Sequence, residues 1–258
     1  MNESTDRRLT VEAGPAGFEA WIRPDGEGTA WQKLAAKQWR CEPQDCEKRL
    51  EDAVYDTPEL FDENRVTVLL RPEYTQLIPA ELADDADEIM SRFDLSKGKE
   101  TFCDKIPGID DYLLAYTLPS GMNGFLHRCF ATEDFRHALT PLLGRLAPSA
   151  RSEGGEILWA DLHGQNVDTV AFADGSLRLA ASRSFREPED AAYALLSAWR
   201  GLGFDARKGE IRVSGDEQTR RAVVPVLRRF VSYVSVAVVP TRVKEICRAG
   251  VSLASALS

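Results

Sequence analysis

The stretch ILWADLHGQNVDTVAFADGSLRLAASRSF, residues 157–185, carries the clearest pattern in the chain. It predicts three consecutive β-strands, because apolar runs rich in Val, Leu and Ala are separated by two groups of turn residues. The first turn is the polar run Asp-Leu-His-Gly-Gln-Asn and the second is Ala-Asp-Gly. Glycine-containing turns can hold a phosphate through backbone N–H groups, so the first turn is either a ligand-binding loop or only a turn.

Length and composition favour a globular protein of one large domain or two ordinary ones. The 258 residues are 43% hydrophobic and 28% charged, which is sufficient for a buried core. The formal net charge of −9 repels phosphate backbones and anionic lipid surfaces. We therefore expect no nucleic-acid partner and no membrane partner.

Cysteine usage and the apolar runs predict a cytoplasmic protein. The longest apolar run, residues 230–239, is shorter than the ~20 residues of a membrane-spanning helix, and its valines favour a buried strand. The amino-terminal stretch lacks the apolar core of a signal peptide. The cysteines are odd in number and have no C-x-x-C spacing, which predicts reduced, mostly buried thiols. They are Cys41, Cys46, Cys103, Cys129 and Cys247.

The order of predicted elements repeats. Residues 9–26 read as strand, Gly-Pro turn, strand and Pro-Asp-Gly turn, and the same plan returns from residue 157. From Leu9 to Ile157 the offset is 157 − 9 = 148, and from Val66 to Ile211 it is 211 − 66 = 145. Two offsets this similar indicate an internal duplication. The elements after the hairpins are helices at 43–56, 79–93, 187–203 and 219–230 and strands at 65–72 and 210–217.

The region between the repeats adds further alternation of strands and helices. Residues 111–119 predict a strand and 120–130 a short helix. A helix over 132–146 would be capped by Thr132 and broken at Pro141. Residues 147–156 are rich in Pro, Ser and Gly and predict a linker, which gives domains of 1–148 and 149–258. Trp31 and Trp39 are eight residues apart, so they share a helical face or pair across an insertion.

This order of elements resembles the actin-like ATPase superfamily, which is built from two ribonuclease-H-like lobes. More specifically, the chain is similar to the Bacteroidetes family catalogued as domain of unknown function 3822. The residues that carry the likeness are YTQLIPAEL at 74–82, SRSFREPEDAAYALLSAW at 182–199 and IRVSGD at 211–216. The likeness covers nearly the whole chain. It implies an α/β fold of two lobes with mixed sheets and helices on both sides, and no established activity.

The resemblance also implies where a nucleotide would bind, in two glycine-containing hairpins and a third turn. In this chain, however, Pro15 removes a backbone donor from the first hairpin. His163 stands in the second hairpin where a glycine would let a phosphate approach, and Asp216 adds an anion to the third turn. The candidate nucleotide-binding residues are Glu12, Gly14, Asp161, Gly164, Gly215 and Asp216.

Other chemistry has less support in the sequence. A nuclease would use clustered carboxylates such as Glu12 and Asp161, but the net charge disfavours nucleic acid. His127, His137 and His163 are interpreted as surface or internally satisfied histidines. No Gly-x-Ser-x-Gly or His-Glu-x-x-His motif occurs, so we predict neither a catalytic residue nor a metal site.

These observations favour a non-catalytic scaffold or adaptor that binds another protein and needs no cofactor. The partner is not identified by the sequence, and a homodimer is left open. The alternative is a divergent ATPase that binds ATP and magnesium through Glu12, Asp161 and Gly215.

Overall fold

The structure is a computed structural model that describes residues 7–23, 32–39, 42–61, 64–95, 97–130, 132, 134–163 and 165–237. By their internal contacts, these residues form two compact units. Lobe 1 comprises the described residues up to Lys105 together with Asp111–Ala138. Lobe 2 comprises Ile106–Asp110 and the described residues from Leu139 onward.

Lobe 1 contains two sheets and three α-helices. Its five-stranded sheet and its three-stranded sheet are joined by helices and by 3₁₀ turns at Pro58–Phe61 and Ala80–Asp85. In chain order its elements are β1 (Arg7–Gly14), β2 (Gly17–Arg23), β3 (Gln32–Gln38), α1 (Pro43–Tyr55), β4 (Asn64–Leu70), β5 (Thr75–Pro79), α2 (Ala86–Phe93), β6 (Lys99–Ile106), β7 (Ile109–Pro119), α3 (Met122–Cys129) and β8 (Phe135–His137).

The five-stranded sheet of lobe 1 has the order β3-β2-β1-β4-β8. Strand β2 runs antiparallel to β1, whereas β4 runs parallel to it. Alternate residues of β1, namely Leu9, Val11 and Ala13, join a core cluster with residues of α1 and α3. Because successive side chains of a strand point to opposite faces, Thr10 and Glu12 lie on the other face.

Lobe 2 repeats this plan. Its elements are α4 (Leu139–Glu153), β9 (Glu156–His163), β10 (Asn166–Ala173), β11 (Ser176–Ser184), α5 (Pro188–Gly201), β12 (Glu210–Gly215), α6 (Glu217–Leu227) and β13 (Tyr233–Val236). The sheet order is β11-β10-β9-β12-β13, the same order as in lobe 1 when strands are counted within each five-stranded sheet. The duplication predicted from the sequence is therefore confirmed at the level of sheet topology.

Helices cover both faces of the lobe 2 sheet. Leu158, Ala160 and Leu162 of β9 pack in one core cluster with residues of α5 and α6. Ile157 and Trp159 point the other way, where they line a small cavity with residues of α4. Helix α5 begins at Pro188, one residue after the predicted start, and the Asp190 carboxylate caps it by accepting from the N–H groups of Arg186 and Glu187. Pro188 suits this position because the first turn leaves its N–H groups without helical partners.

Backbone pairing gives an exact correspondence between the lobes. Glu12 lies opposite Glu19 in the β1–β2 hairpin, and Asp161 lies opposite Asp168 in the β9–β10 hairpin. The offsets are 161 − 12 = 149 and 168 − 19 = 149, so the predicted match of Leu9 with Ile157 is wrong by one residue. Leu9 matches Leu158, because Leu9 pairs with Val66 and Leu158 with Ile211.

Two predicted elements between the repeats are wrong. Phe135–His137 is a strand paired with β4, not a helix capped by Thr132. Helix α4 begins at Leu139, so Pro141 lies in its first turn, where a missing N–H costs little. The predicted linker is helical as far as Glu153, because a buried apolar stripe continues past Pro148. The stripe consists of Leu139, Leu142, Leu143, Leu146, Ala147 and Ala150.

Other corrections concern sheet edges and thiols. The segment before Trp39 is strand β3, so a helical face is wrong; Trp31 lies outside the described residues. The predicted buried strand at 230–239 is shorter, and Tyr233 in it is 57% exposed.

Among the described thiols Cys46 is buried, Cys129 half-buried and Cys103 exposed; Cys41 and Cys247 are not described. In the part of the chain that is described, no helix is long and apolar enough to cross a membrane.

Candidate functional site

Three buried titratable side chains meet at the turn end of the β9–β10 hairpin. Asp161 and His163 are two residues apart on β9, so they share one face of the sheet. Asp168 lies directly opposite Asp161 on β10 and therefore points to the same face. We call this group the Asp161–His163–Asp168 cluster. Its members are 0%, 7% and 0% exposed, respectively.

The imidazole of His163 lies between the two carboxylates. Its Nδ1 is 3.5 Å from Asp161 Oδ2, and its Nε2 is 3.8 Å from Asp168 Oδ2. One ligand atom from each of the three residues falls within 4.8 Å of the others. The arrangement brings one nitrogen and two oxygen donors together inside lobe 2.

The neighbouring strand β12 orients one of the carboxylates. Ser214 pairs in register with Asp161, and its hydroxyl donates a hydrogen bond to Asp161 Oδ1 at 2.6 Å. Trp159 in turn donates its indole N–H to Ser214 Oγ at 3.0 Å. These two hydrogen bonds orient the Asp161 carboxylate so that its second oxygen, Oδ2, faces His163.

The matching positions in lobe 1 carry different chemistry. Glu12 and Glu19 correspond to Asp161 and Asp168, and Gly14 corresponds to His163. Glu12 is buried and forms an ion pair with the guanidinium of Arg71. Glu19 lies 3.8 Å from the ammonium of Lys33. In lobe 1, both hairpin carboxylates therefore contact basic side chains of the same lobe.

The other predicted nucleotide residues of lobe 2 have structural contacts. A Cβ on Gly215 would lie 1.9 Å from Leu162 O, and its φ is +92°, so β12 needs a glycine here. Asp216 caps helix α6, since its carboxylate accepts from the N–H and the hydroxyl of Thr219, both at 2.7 Å. Gly164 lies outside the described residues.

Gly14 in lobe 1 also permits a close approach of strands. A Cβ on Gly14 would lie 2.1 Å from Arg71 O. The Arg71 N–H donates to Ala13 O at 2.8 Å, and the Asp216 N–H donates to Leu162 O at 2.6 Å. Because Ala13 matches Leu162 and Arg71 matches Asp216, the two lobes repeat this hydrogen bond. Arg71 and Asp216 thus occupy the same backbone position, which carries a cation in lobe 1 and the N-cap of helix α6 in lobe 2.

Sequence reasoning missed Asp168, His163 as a member of the cluster, and Arg71. The available signal was the alternation of the hairpin, in which Asp161 and Asp168 are the same distance from the turn. Among the other histidines, His137 is buried and within 2.8 Å of Thr75 Oγ1, as expected of a satisfied histidine. His127 is exposed and stacks on Phe135 with a centroid distance of 3.7 Å.

A second candidate surface lies beside strand β13, and we call it the β13 groove. It is an open groove of about 790 Å³. Its lining includes the basic side chains of Arg207, Lys208 and Arg228 together with Tyr233 and Ser235 of β13. Phe230 and Val236, at or beside β13, are 61% and 45% exposed. The combination of aromatic, basic and backbone groups is suited to binding a peptide.

Sheet order, duplication and paired hairpins together define an actin-like ATPase fold. The structure is similar to that of a protein of actin-like ATPase fold and unknown function from Bacteroides thetaiotaomicron, with a TM-score of 0.72 and 19% identity over 92% of this chain and 94% of that chain. The chain belongs to the DUF3822 family of proteins of unknown function, whose model matches residues 1–234. No curated protein matches in sequence.

Two further solved structures show a more distant likeness. One is the PilM–PilN type IV pilus biogenesis complex, with a TM-score of 0.46, 13% identity and coverage of 97% of this chain and 96% of that chain. The other is the activator of the 2-hydroxyisocaproyl-CoA dehydratase from Clostridium difficile with bound ADPNP, with a TM-score of 0.41, 10% identity and coverage of 97% and 93%.

Proposed function

We propose that the chain is a non-catalytic adaptor that binds an extended, acidic segment of another protein along the edge of β13. The observation that carries this proposal is the β13 groove, in which the exposed Tyr233 and basic side chains lie beside a strand that is, among the described residues, at the edge of its sheet. An edge strand can accept a further strand through its backbone N–H and C=O groups, which is a common mode of peptide recognition.

The edge of β13 supports the extended shape of the partner. Among the described residues, β13 is the last strand of its sheet and pairs with β12 on one side. Tyr233 and Val236 expose large apolar surfaces there. Aromatic residues are enriched at protein interfaces, because a large apolar area is buried with little loss of conformational entropy.

Charge supports the acidic character of the partner. Arg207, Lys208 and Arg228 line the groove of a chain whose net charge is −9. The acidic side chain of the groove, Glu210, is bound by Arg212 and by the hydroxyl of Ser235. Lys208 lies 4.0 Å from Asp205, and Arg228 donates to the Val234 carbonyl of β13, but three cations still face one acidic lining residue. An acidic segment would be attracted to this local excess of positive charge.

Contacts elsewhere favour the adaptor over the divergent ATPase. A magnesium nucleotide would need carboxylates and backbone N–H groups that can turn toward it. Instead Glu12 is bound by Arg71, Asp216 caps α6, and the N–H of Asp216 is bonded to Leu162 O. Each of these contacts would have to be exchanged for a contact with the ligand.

The proposal is tested with a fluorescein-labelled octapeptide of alternating Glu and Val, measured by fluorescence anisotropy. We expect binding by the full chain, and at least about a 10-fold loss with the double variant Arg207→Glu/Lys208→Glu, because reversed charges across an interface repel. The matched control is Arg221→Glu, an exposed charge reversal on α6 outside the groove, which should change Kd less than about 2-fold.

Three results would contradict the adaptor proposal. The first is equal binding of a Lys-Val octapeptide, and the second is an equal loss with Arg221→Glu. The third is a rise in Tm with ATP or ADP and Mg²⁺ that Asp161→Asn abolishes, since a ligand that binds only the folded state at about 100 times its Kd adds ~2.7 kcal/mol of stability. Concentration-dependent dimerisation in sedimentation that the Arg207/Lys208 variant abolishes would replace the acidic partner with a second copy of the chain.

A further inference from the structure

We infer that the Asp161–His163–Asp168 cluster binds one divalent first-row transition-metal ion inside lobe 2. The inference is independent of the proposed adaptor function, because the cluster and the β13 groove share no residue. It assigns a stabilising ion to a hairpin for which the sequence predicts no metal.

The donor set selects the class of ion. The cluster offers one imidazole nitrogen and two carboxylate oxygens. Imidazole is a good ligand for zinc and the neighbouring transition metals, whereas magnesium and calcium prefer oxygen donors alone. We therefore expect Zn²⁺, Co²⁺ or Mn²⁺ to bind in preference to Mg²⁺.

The spacing of the donor atoms is compatible with a shared ion. The contacts of His163 with the two carboxylates are 3.5 and 3.8 Å, longer than the usual N–H···O range. Two ligands each ~2.0 Å from one tetrahedral ion are roughly 3.3 Å apart. The two contacts come from different ring nitrogens, so one ion would bind either Nδ1 or Nε2, and the side chains would have to turn to place all three donors around it.

The surroundings of the cluster resemble the outer shell of a metal site. Ser214 binds Asp161 through Oδ1, which leaves Oδ2 directed toward His163. Trp159 fixes the hydroxyl of Ser214 from its other side. Hydrogen bonds of this kind orient ligating carboxylates and tune their affinity for the ion.

Charge at the matching positions of lobe 1 points the same way. There, Arg71 and Lys33 place cations beside the carboxylates of Glu12 and Glu19. In lobe 2 the side chain between the carboxylates is a histidine, which can ligate an ion through either of its ring nitrogens. A dication in the cluster would provide in lobe 2 the positive charge that basic side chains provide in lobe 1.

The test uses the full chain, first stripped with a chelator and then titrated with Zn²⁺, Co²⁺ or Mn²⁺ at pH 7.5. We expect calorimetry to give one ion per chain, and bound Co²⁺ to show the visible d–d absorption of an ion with nitrogen and oxygen ligands. His163→Gln and Asp168→Asn keep the size of the side chain and should each weaken binding by at least about 100-fold, since loss of an outer-shell partner alone costs 10–100-fold.

The control variant is His127→Gln, which removes an exposed imidazole on α3 of lobe 1 and should leave affinity and stoichiometry unchanged. The Tm of each protein is also measured with and without the ion. Lower stability of the cluster variants does not obscure this result, because the rise in Tm that the ion causes is taken within each protein. The inference is overturned by no rise at about 1 mM ion, by an equal rise in wild type and Asp168→Asn, or by a rise lost in His127→Gln.

Discussion

In lobe 1 the carboxylate of Glu12 is bound by the guanidinium of Arg71, whereas in lobe 2 the matching residue, Asp161, shares a buried space with His163 and Asp168. The strands that carry these residues have the same order, the same direction and the same register in both lobes. The backbone plan has thus been kept through the duplication while the charges placed on it have changed.

The two lobes compensate buried charge on the same sheet plan in different ways. A carboxylate removed from water is stable only if hydrogen bonds or an opposite charge compensate for its lost hydration. Lobe 1 does this with Arg71, which follows β4. In lobe 2 the residue at that position is Asp216, whose carboxylate caps a helix, so Asp161 instead accepts a hydrogen bond from Ser214 and lies 3.5 Å from His163.

The largest effect is expected at the glycines that let the strand ends approach. Gly215→Ala should cost roughly 4 kcal/mol or more, because its Cβ would overlap Leu162 O and its φ of +92° is unfavourable for alanine. In Gly14→Ala the new Cβ would overlap Arg71 O, but the backbone is not left-handed there. This variant should therefore cost about 1–2 kcal/mol less than Gly215→Ala. Urea unfolding gives both values.

Gly201→Ala is the control for both glycine variants. A Cβ at Gly201 would meet nothing within 4 Å, and its φ is not left-handed. The variant should be neutral or slightly stabilising, because alanine favours a helix. If Gly215→Ala were as mild as Gly201→Ala, the tight contact between β12 and β9 would be wrong.

The second prediction breaks the ion pair of lobe 1. Arg71→Met should destabilise the chain by about 3 kcal/mol, because it removes the guanidinium from the buried carboxylate of Glu12. Adding Glu12→Gln should restore most of the loss, since the amide has no charge to compensate. Chemical unfolding of the four proteins in this double-mutant cycle measures the coupling, and a purely additive result would contradict the pairing.

The third prediction concerns pH and strand β12. Arg212 binds Glu153 of α4 through two nitrogens, and these hydrogen bonds, together with one from Ser149, hold the pKa of Glu153 below its usual 4.5. A lowered pKa stabilises the fold above the unfolded value, and this stability disappears as the pH falls through the folded value. Because Glu153 is partly exposed, Arg212→Gln should cost no more than about 1 kcal/mol at pH 7.

The pH profile provides the check on Arg212. The difference in unfolding free energy between wild type and Arg212→Gln should be full at pH 7 and should shrink below about pH 4.5. A difference that stays constant down to pH 3 would show that Arg212 acts through packing alone. The matching residue of lobe 1 is Thr67, whose neutral hydroxyl donates to Asp134 at 2.8 Å.

The smallest effects are expected at surface pairs, one in each lobe. Arg92 pairs with Glu88 on α2, and Arg221 pairs with Glu217 on α6, both four residues apart and exposed. Arg92→Gln and Arg221→Gln should each cost about 0.3–0.5 kcal/mol, because water screens such pairs. Thermal unfolding in low and high salt tests this prediction. A loss of unfolding free energy above about 1 kcal/mol in either variant would contradict it.

Much of the fold could be predicted from local patterns. The three strands of residues 157–185, helix α5 and the duplicated element order depend on alternation, caps and turns that are written in consecutive residues. Local reasoning failed at Phe135–His137 and at residues 147–153. Phe135–His137 is a strand because it pairs with β4. Residues 147–153 are helical because a buried apolar stripe continues α4 past Pro148.

The class of fold and the internal repeat follow from the sequence, which also marks Glu12 and Asp161 as candidate carboxylates of the two hairpins. Their exact correspondence and their contacts depend on the tertiary structure. Arg71 is 59 residues from Glu12 and Ser214 is 53 residues from Asp161, and parallel strand pairing brings each beside its carboxylate. Strand pairing depends on contacts far apart in the chain, so the residues that compensate a buried charge cannot be recognised from their sequence neighbours.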